Sequence, residues 1–264
     1  MPEAFVLETQ RLRKQFGGLV AVDDVDLRVR AGSFHAIIGP NGAGKTTLFN
    51  LLSRTLDPTS GRILFQGRDI TRLPLHRTAH LGIGRSFQIT NVFPNLSVLE
   101  NVRLASQAVQ PGSFNFWQDH RRLKGALERA QAVLEQVGLA TRAALPARAL
   151  PQGDQRKLEL GMILAPDPAL LLLDEPTAGM AGEQVPELMQ LISDVQRRGG
   201  KTVVLVEHNM NVVMRASDVI TVMHQGAKLA EGTPSEITAN KAVQSAYLGE
   251  LYGDLGRDVA QEAA

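Results

Sequence analysis

The sequence predicts an α/β protein with a mostly parallel sheet, an antiparallel β-rich opening and an inserted helical segment. Three observations predict it. Short aliphatic runs at Phe34–Ile38, Leu170–Asp174, Thr202–Val206 and Val219–Met223 are separated by stretches of helical character. Strands that alternate with helices build parallel sheets whose ligands sit at the carboxyl ends of the strands. Between about residues 92 and 160 the period changes, with Leu123, Leu127, Ala130, Leu134 and Val137 recurring at helical spacing among Arg122, Lys124, Glu128 and Glu135. Near the start, Val25, Leu27 and Val29 alternate with Asp26, Arg28 and Arg30, the mark of a half-buried strand.

In chain order, the strand Val25–Arg30 precedes a short buried strand, Phe34–Ile38, that ends at Gly39. A helix is expected over Thr46–Arg54, then a turn at Pro58, Ser60 and Gly61, then a strand over Arg62–Phe65. The helical segment stops near Gly138. Leu170–Asp174 and Thr202–Val206 bracket a helix near Glu183–Arg198, and a further helix precedes Val219–Met223. The layout expected is a core split in sequence, 1–91 and 161–253, around a helical subdomain at 92–160, with a loosely ordered tail at 254–264.

Composition narrows the classes. With 264 residues, 44% hydrophobic and 21% charged, the chain buries a substantial core and is neither disordered nor fibrous. Its 28 basic and 27 acidic residues leave a net charge of +1, so no global field points to nucleic acid or an anionic membrane. The lack of cysteine excludes disulfides, thiolate metal sites and cysteine nucleophiles. No secretory signal is expected from Met1-Pro2-Glu3-Ala4. The longest purely aliphatic run, Ala169–Leu173, is far short of the roughly 20 residues of a membrane span. Any membrane role is then peripheral, through protein partners.

The chemistry begins at Gly39-Pro40-Asn41-Gly42-Ala43-Gly44-Lys45-Thr46, which matches the phosphate-binding P-loop pattern between a strand and a helix. Glycines let backbone N–H groups approach phosphate oxygens, the helix N-terminus favours the anion, and Lys45 supplies a point charge. The Thr46 hydroxyl is suited to Mg²⁺. The bland alternative is an ordinary glycine turn. A second carboxylate stands at the end of the aliphatic run Leu170–Leu173: Asp174 is suited to hold Mg²⁺, directly or through water, and Glu175 to orient or deprotonate the attacking water. The alternative there is a solvated Asp-Glu pair capping a core strand. These motifs read as ATP binding and hydrolysis on a P-loop NTPase core.

The two motifs, about 130 residues apart with a helical insert between them, resemble the nucleotide-binding subunit of an ATP-binding cassette transporter over nearly the whole chain. The resemblance implies that residues from Gly39 to Thr47, Thr47 included, contact the nucleotide. It further implies that Phe16, ahead of the first sheet, stacks on adenine, that Gln88 is the glutamine touching water or metal, and that His208 donates to the γ-phosphate. Leu150-Pro151-Gln152-Gly153-Asp154-Gln155 occupies the signature position, so Gln152, Gly153 and Asp154 would face the nucleotide of a second chain. Pro151 replaces the usual serine and Ala181 the usual aspartate, which implies an atypical contribution to the partner's site.

A signature ending Gly-Asp-Gln is similar to that of branched-chain (hydrophobic) amino acid importers. So are Asn91-Val92-Phe93, Leu96-Ser97-Val98-Leu99-Glu100-Asn101-Val102 and Ala246-Tyr247-Leu248-Gly249-Glu250. Phe87-Gln88 and the stretch with Trp117 resemble the larger of that system's two ATPase subunits. The implied partners are a second ATPase subunit in a homo- or heterodimer, integral membrane permeases and, indirectly, a periplasmic or extracellular amino acid binding protein. Val92, Phe93 and Leu96 are candidates for the permease contact or for local packing. The implied place is the cytoplasmic face of the cell membrane. Amide or urea import and lipid export remain alternatives, as does a soluble cassette acting on nucleic acid or ribosomes, which the balanced charge disfavours.

Overall fold

The structure, a computed structural model, describes residues 5–86, 92–109 and 120–247. Phe87, Gln88, Asn91, Trp117, Leu248–Glu250 and the tail at 254–264 lie outside the described residues. The chain opens with β1 (Phe5–Phe16), β2 (Leu19–Val25), β3 (Arg28–Arg30), β4 (Phe34–Ile38) and α1 (Lys45–Leu52). Next come β5 (Ser60–Phe65), β6 (Arg68–Asp69), α2 (Leu75–Leu81) and β7 (Ile83–Arg85). Three helices follow, α3 (Val98–Ala108), α4 (His120–Gln136) and α5 (Gln152–Leu164), before β8 (Leu170–Asp174). The last part runs α6 (Val185–Gly199), β9 (Thr202–Val206), α7 (Met210–Ala216), β10 (Val219–His224), β11 (Ala227–Gly232) and α8 (Pro234–Ala239).

These elements divide into two units, residues 1–72 with 204–264 and residues 73–203, the boundary falling inside β9. In the first unit β1 pairs antiparallel with β2, β3 and β5, and β5 with β6, which is the antiparallel opening expected. Also in this unit, β4 runs parallel to β10, and β10 antiparallel to β11. In the second unit β7 runs parallel to β8, and α3, α4 and α5 form the helical part. Every residue of β4, β8 and β9 is buried. Continuous aliphatic strands of this kind belong to parallel sheets covered on both faces.

The expected strand Val25–Arg30 is interrupted. Its burial alternates as the sequence requires, but the Thr9 hydroxyl donates to the Val25 carbonyl at 2.8 Å and accepts from Leu27 N–H at 2.9 Å. A side chain thus replaces one rung of the ladder and divides β2 from β3. The helix expected to reach Arg54 stops at Leu52, because Arg54 adopts φ 62° and turns the chain out. Gly138 ends α4 as the sequence suggests, with φ 73° and the Leu139 N–H closing on the Leu134 carbonyl at 2.8 Å.

One polar chain runs from the buried His35, on the strand that leads into the phosphate loop, through the buried Thr221 to the surface. His35 Nε2 lies 2.8 Å from Thr221 Oγ1, which donates to Glu231 at 3.0 Å, and Lys228 pairs with Glu231 at 3.3 Å. Burial pulls His35 down from 6.5 to about 4, with Glu231 opposing the shift and Lys228 adding to it. Below pH 6.5 the unfolded chain takes up a proton that the folded chain refuses. This contribution to stability is therefore full above pH 6.5 and is lost towards pH 4, amounting to about 3 kcal/mol. Denaturant titrations between pH 4 and 7 on the wild type and His35→Gln should show a shallower slope in the variant; equal slopes would refute the linkage.

Candidate functional site

The phosphate loop leaves β4 at Ile38 and enters α1 at Lys45. Its glycines are forced by their surroundings. Gly39 has φ 153° and a Cβ there would sit 2.2 Å from the Met223 carbonyl oxygen; Gly44 has φ 95° and a Cβ would sit 2.3 Å from that of Ala21. Gly226, in the two-residue turn between β10 and β11, donates its N–H to the Ala43 carbonyl at 3.1 Å and so straps the loop from the other side. No side chain caps the N-terminus of α1, and its first turn carries no acid. A helix N-terminus without a competing side-chain cap or acid suits an anion, which the helix dipole favours. Lys45 Nζ reaches the carbonyls of Gly39 at 2.6 Å and Pro40 at 2.9 Å, which keeps its charge at the loop. Thr46 is exposed and Thr47 half-buried, whereas Pro40 and Ala43 face inward with Asn41 and Gly42 outside. This cradle fits a polyphosphate.

Phe16 is the last residue of β1 rather than a residue ahead of the sheet, paired with Leu19 across the hairpin whose Ala21 walls Gly44. Phe16 is 47% exposed, with the Lys14 ammonium 5.0 Å from its ring centroid, so an aromatic surface stands on the hairpin that borders the loop. His208 follows β9 with its side chain 68% exposed. Just before it Glu207 is buried and accepts the His208 N–H at 3.2 Å, fixing where the histidine emerges.

In the second unit Asp174 closes β8 and is buried, its N–H donating to Ser86 Oγ at 2.9 Å. Burial lowers the Arg85 guanidinium below its ordinary value, and the Asp174 charge opposes that shift. Glu175 is half-buried with φ 46°, an uncommon conformation for a residue bearing a Cβ. Its carbonyl accepts the Ala178 N–H at 3.0 Å, closing a turn. Among the described residues no three histidine, aspartate or glutamate side chains gather as a metal cage. Mg²⁺ bound through a phosphate, one hydroxyl and one carboxylate needs none, because this ion keeps most of its water.

Pro151 caps α5 without a side-chain hydrogen bond, leaving Gln152 and Gly153 in the first turn. Gln152 packs towards Gly179, and a Cβ on Gly153 would meet Gln184 at 3.0 Å. The Asp154 carboxylate pairs with Arg142 and, at 3.6 Å, with Lys157. The structure thus gathers the phosphate loop, Phe16 and His208 in one unit, and Asp174, Glu175 and the Gln152–Asp154 turn in the other. Gln88 is outside the described residues. Sequence reasoning missed Ser86 and Glu207. Glu207 had a signal, an acid closing an aliphatic strand like Asp174; Ser86 had none.

Residues 22–178 match the protein family described as ABC transporter, and residues 227–252 that described as branched-chain amino acid ATP-binding cassette transporter. The high-affinity branched-chain amino acid transport ATP-binding protein LivG of Escherichia coli is 40% identical over 250 residues, spanning 93% of this chain and 98% of that protein. BraF of Pseudomonas aeruginosa, described in the same words, gives the same identity and coverage. A crystallised ATP-binding cassette of an ABC transporter in its ADP conformation has a TM-score of 0.81 at 29% identity, covering 93% of this chain and 99% of that one. A dimeric cassette bound to ADP and Pi in a post-hydrolysis state has a TM-score of 0.73 at 26% identity, covering 86% and 98%.

Proposed function

Since this chain belongs to the ABC transporter family and is an ATPase of it, we propose that it powers import of branched-chain or related hydrophobic amino acids through membrane permeases. The observation that carries the reading is the identity to LivG and BraF over 93% of the chain, with the match at residues 227–252 beyond the catalytic motifs.

In this reading Gly39–Thr47 bind the triphosphate, with backbone N–H groups and Lys45 holding charge that the substrate already carries. Thr46, Asp174 and Gln88 would hold Mg²⁺, which supplies charge neutralisation when bound. Glu175 accepts a proton from, or orients, the attacking water, and His208 donates to the oxygen on which charge develops. Phe16 stacks on adenine. Gln152, Gly153 and Asp154 face the nucleotide of a second ATPase subunit, identical or paralogous, and the site is complete only in that dimer. Asp154 contributes as the acid in the first turn of α5 rather than through a free carboxylate, because its carboxylate is engaged by Arg142 and Lys157.

The helical subdomain at 92–160 meets the permease, between core parts 1–91 and 161–253. Phe93 supports this: it is 52% exposed, yet its backbone is clamped by the fully buried Asn101, which accepts from Phe93 N–H at 2.7 Å and donates to its carbonyl at 3.1 Å. An exposed aromatic held this firmly suits docking better than core packing. No described helix is long and apolar enough to cross a membrane; in this reading the chain sits peripherally at the cytoplasmic face, against the permeases.

The test is reconstitution of the chain with its co-purifying subunits and binding protein in liposomes. ATP-driven uptake of labelled leucine is expected. Phe93→Glu should cut uptake by about tenfold or more while ATP binding persists. Uptake of urea or amides alone, or lipid efflux, would overturn the import reading, and unaltered uptake by Phe93→Glu would remove the docking role.

A further inference from the structure

We infer that Arg156 is a positioning residue for the turn that carries Glu175, an inference that rests on reading Glu175 as the group that handles the attacking water. Arg156 and Glu159 lie one helical turn apart on α5, with side chains only 10% and 8% exposed. Arg156 Nη1 donates to Glu159 Oε2 at 3.0 Å. The other arm, Nη2, reaches the Ala178 carbonyl at 3.2 Å, 22 residues along the chain. Ala178 in turn donates its N–H to the Glu175 carbonyl at 3.0 Å. The guanidinium therefore anchors the far end of the turn whose first residue is Glu175.

Two features make this anchor more than packing. Glu175 holds φ 46°, a conformation that persists at a residue with a Cβ only where its surroundings over-determine it. The Ala178 contact is one such constraint. Arg156 also lines a cavity of about 20 Å³ together with Ser86, Glu159, Leu173 and Pro176. Leu173 and Pro176 flank Asp174 and Glu175 in sequence, and Ser86 Oγ accepts the Asp174 N–H at 2.9 Å. One cationic side chain thus borders the backbone support of both carboxylates.

The choice of residues points the same way. Desolvation offsets most of the attraction within a buried ion pair, so well-packed apolar residues of similar size serve stability at least as well. What apolar residues do not provide is a rigid fork whose two arms address different acceptors. Glu159 neutralises one arm, and the other is left for the Ala178 carbonyl.

The experiment is steady-state ATPase kinetics and thermal unfolding of the full chain carrying Arg156→Met with Glu159→Leu. Arg156→Met with Glu159→Gln serves as a second background that keeps an amide for the other contacts of residue 159. The expected result is a Tm within a few degrees of wild type, an unchanged KM for ATP and a kcat lowered by about tenfold or more, as a displaced catalytic group requires. A folded variant with wild-type kcat, a rise in KM alone, or failure of both variants to fold would each overturn the inference. Glu175→Gln is measured alongside. If it is slow while the pair variants run at full speed, positioning by Arg156 is wrong; if Glu175→Gln itself keeps full turnover, the role of Glu175 is wrong instead.

Discussion

Glu175→Gln is expected to slow ATP hydrolysis by about 10²- to 10⁴-fold while leaving ATP binding within about threefold of wild type, the loss typical of a removed general base. The amide is nearly isosteric with the carboxylate, so the turn from Glu175 to Ala178 and its hydrogen bond persist. The unusual φ of 46° is a backbone property that glutamine shares. What disappears is a group able to accept a proton. The phosphate cradle at Gly39–Thr47 is untouched, and binding drawn from its N–H groups and Lys45 continues. Single-turnover hydrolysis and equilibrium binding of ATP separate the two effects. Undiminished turnover would place the base elsewhere, and lost binding would show that Glu175 supports the cradle rather than the chemistry.

Gly44→Ala should cost about 2–5 kcal/mol of stability and abolish ATP binding at millimolar concentration, summing a backbone clash and left-handed strain. The added Cβ would lie 2.3 Å from the Ala21 carbonyl oxygen and 3.4 Å from the Gly226 Cα, all of them backbone atoms with little freedom to move. Relief would require β2 or the β10–β11 turn to shift, and either movement displaces the first turn of α1. Gly42→Ala is the control: its φ of 76° is also left-handed, but a Cβ there meets nothing within 4 Å. Its stability cost should be nearer about 1 kcal/mol. Thermal unfolding and calorimetric ATP titration measure both variants, and a Gly44→Ala protein with wild-type Tm and Kd would contradict the wall seen at Ala21.

Much of the candidate site was legible because its signals are local. Gly39–Thr46 declares itself through glycines at fixed offsets within one strand–loop–helix, and Asp174 and Glu175 through a buried aliphatic run that ends in acid. The period-2 pattern at Val25–Arg30 correctly identified which side chains are buried, yet it missed the break between β2 and β3. That break comes from the Thr9 hydroxyl, 16 residues away from Val25 and 18 from Leu27. Helix boundaries slipped for a similar reason, since nothing in the run Thr46–Arg54 announces that Arg54 turns left-handed.

Composition, periodicity and short motifs determined by themselves that this chain is an α/β nucleotide-binding protein with its phosphate loop, helical insertion and acid-ended aliphatic strand in that order. Those properties depend on backbone preferences and side-chain alternation within a dozen residues. Tertiary structure alone decided which groups hold the site in place. Ser86 meets Asp174 across 88 residues, His35 meets Thr221 across 186, and Arg156 on α5 reaches the Ala178 carbonyl in the turn after β8. A buried polar group must find its partner wherever the fold brings one, and no spacing along the chain encodes that meeting.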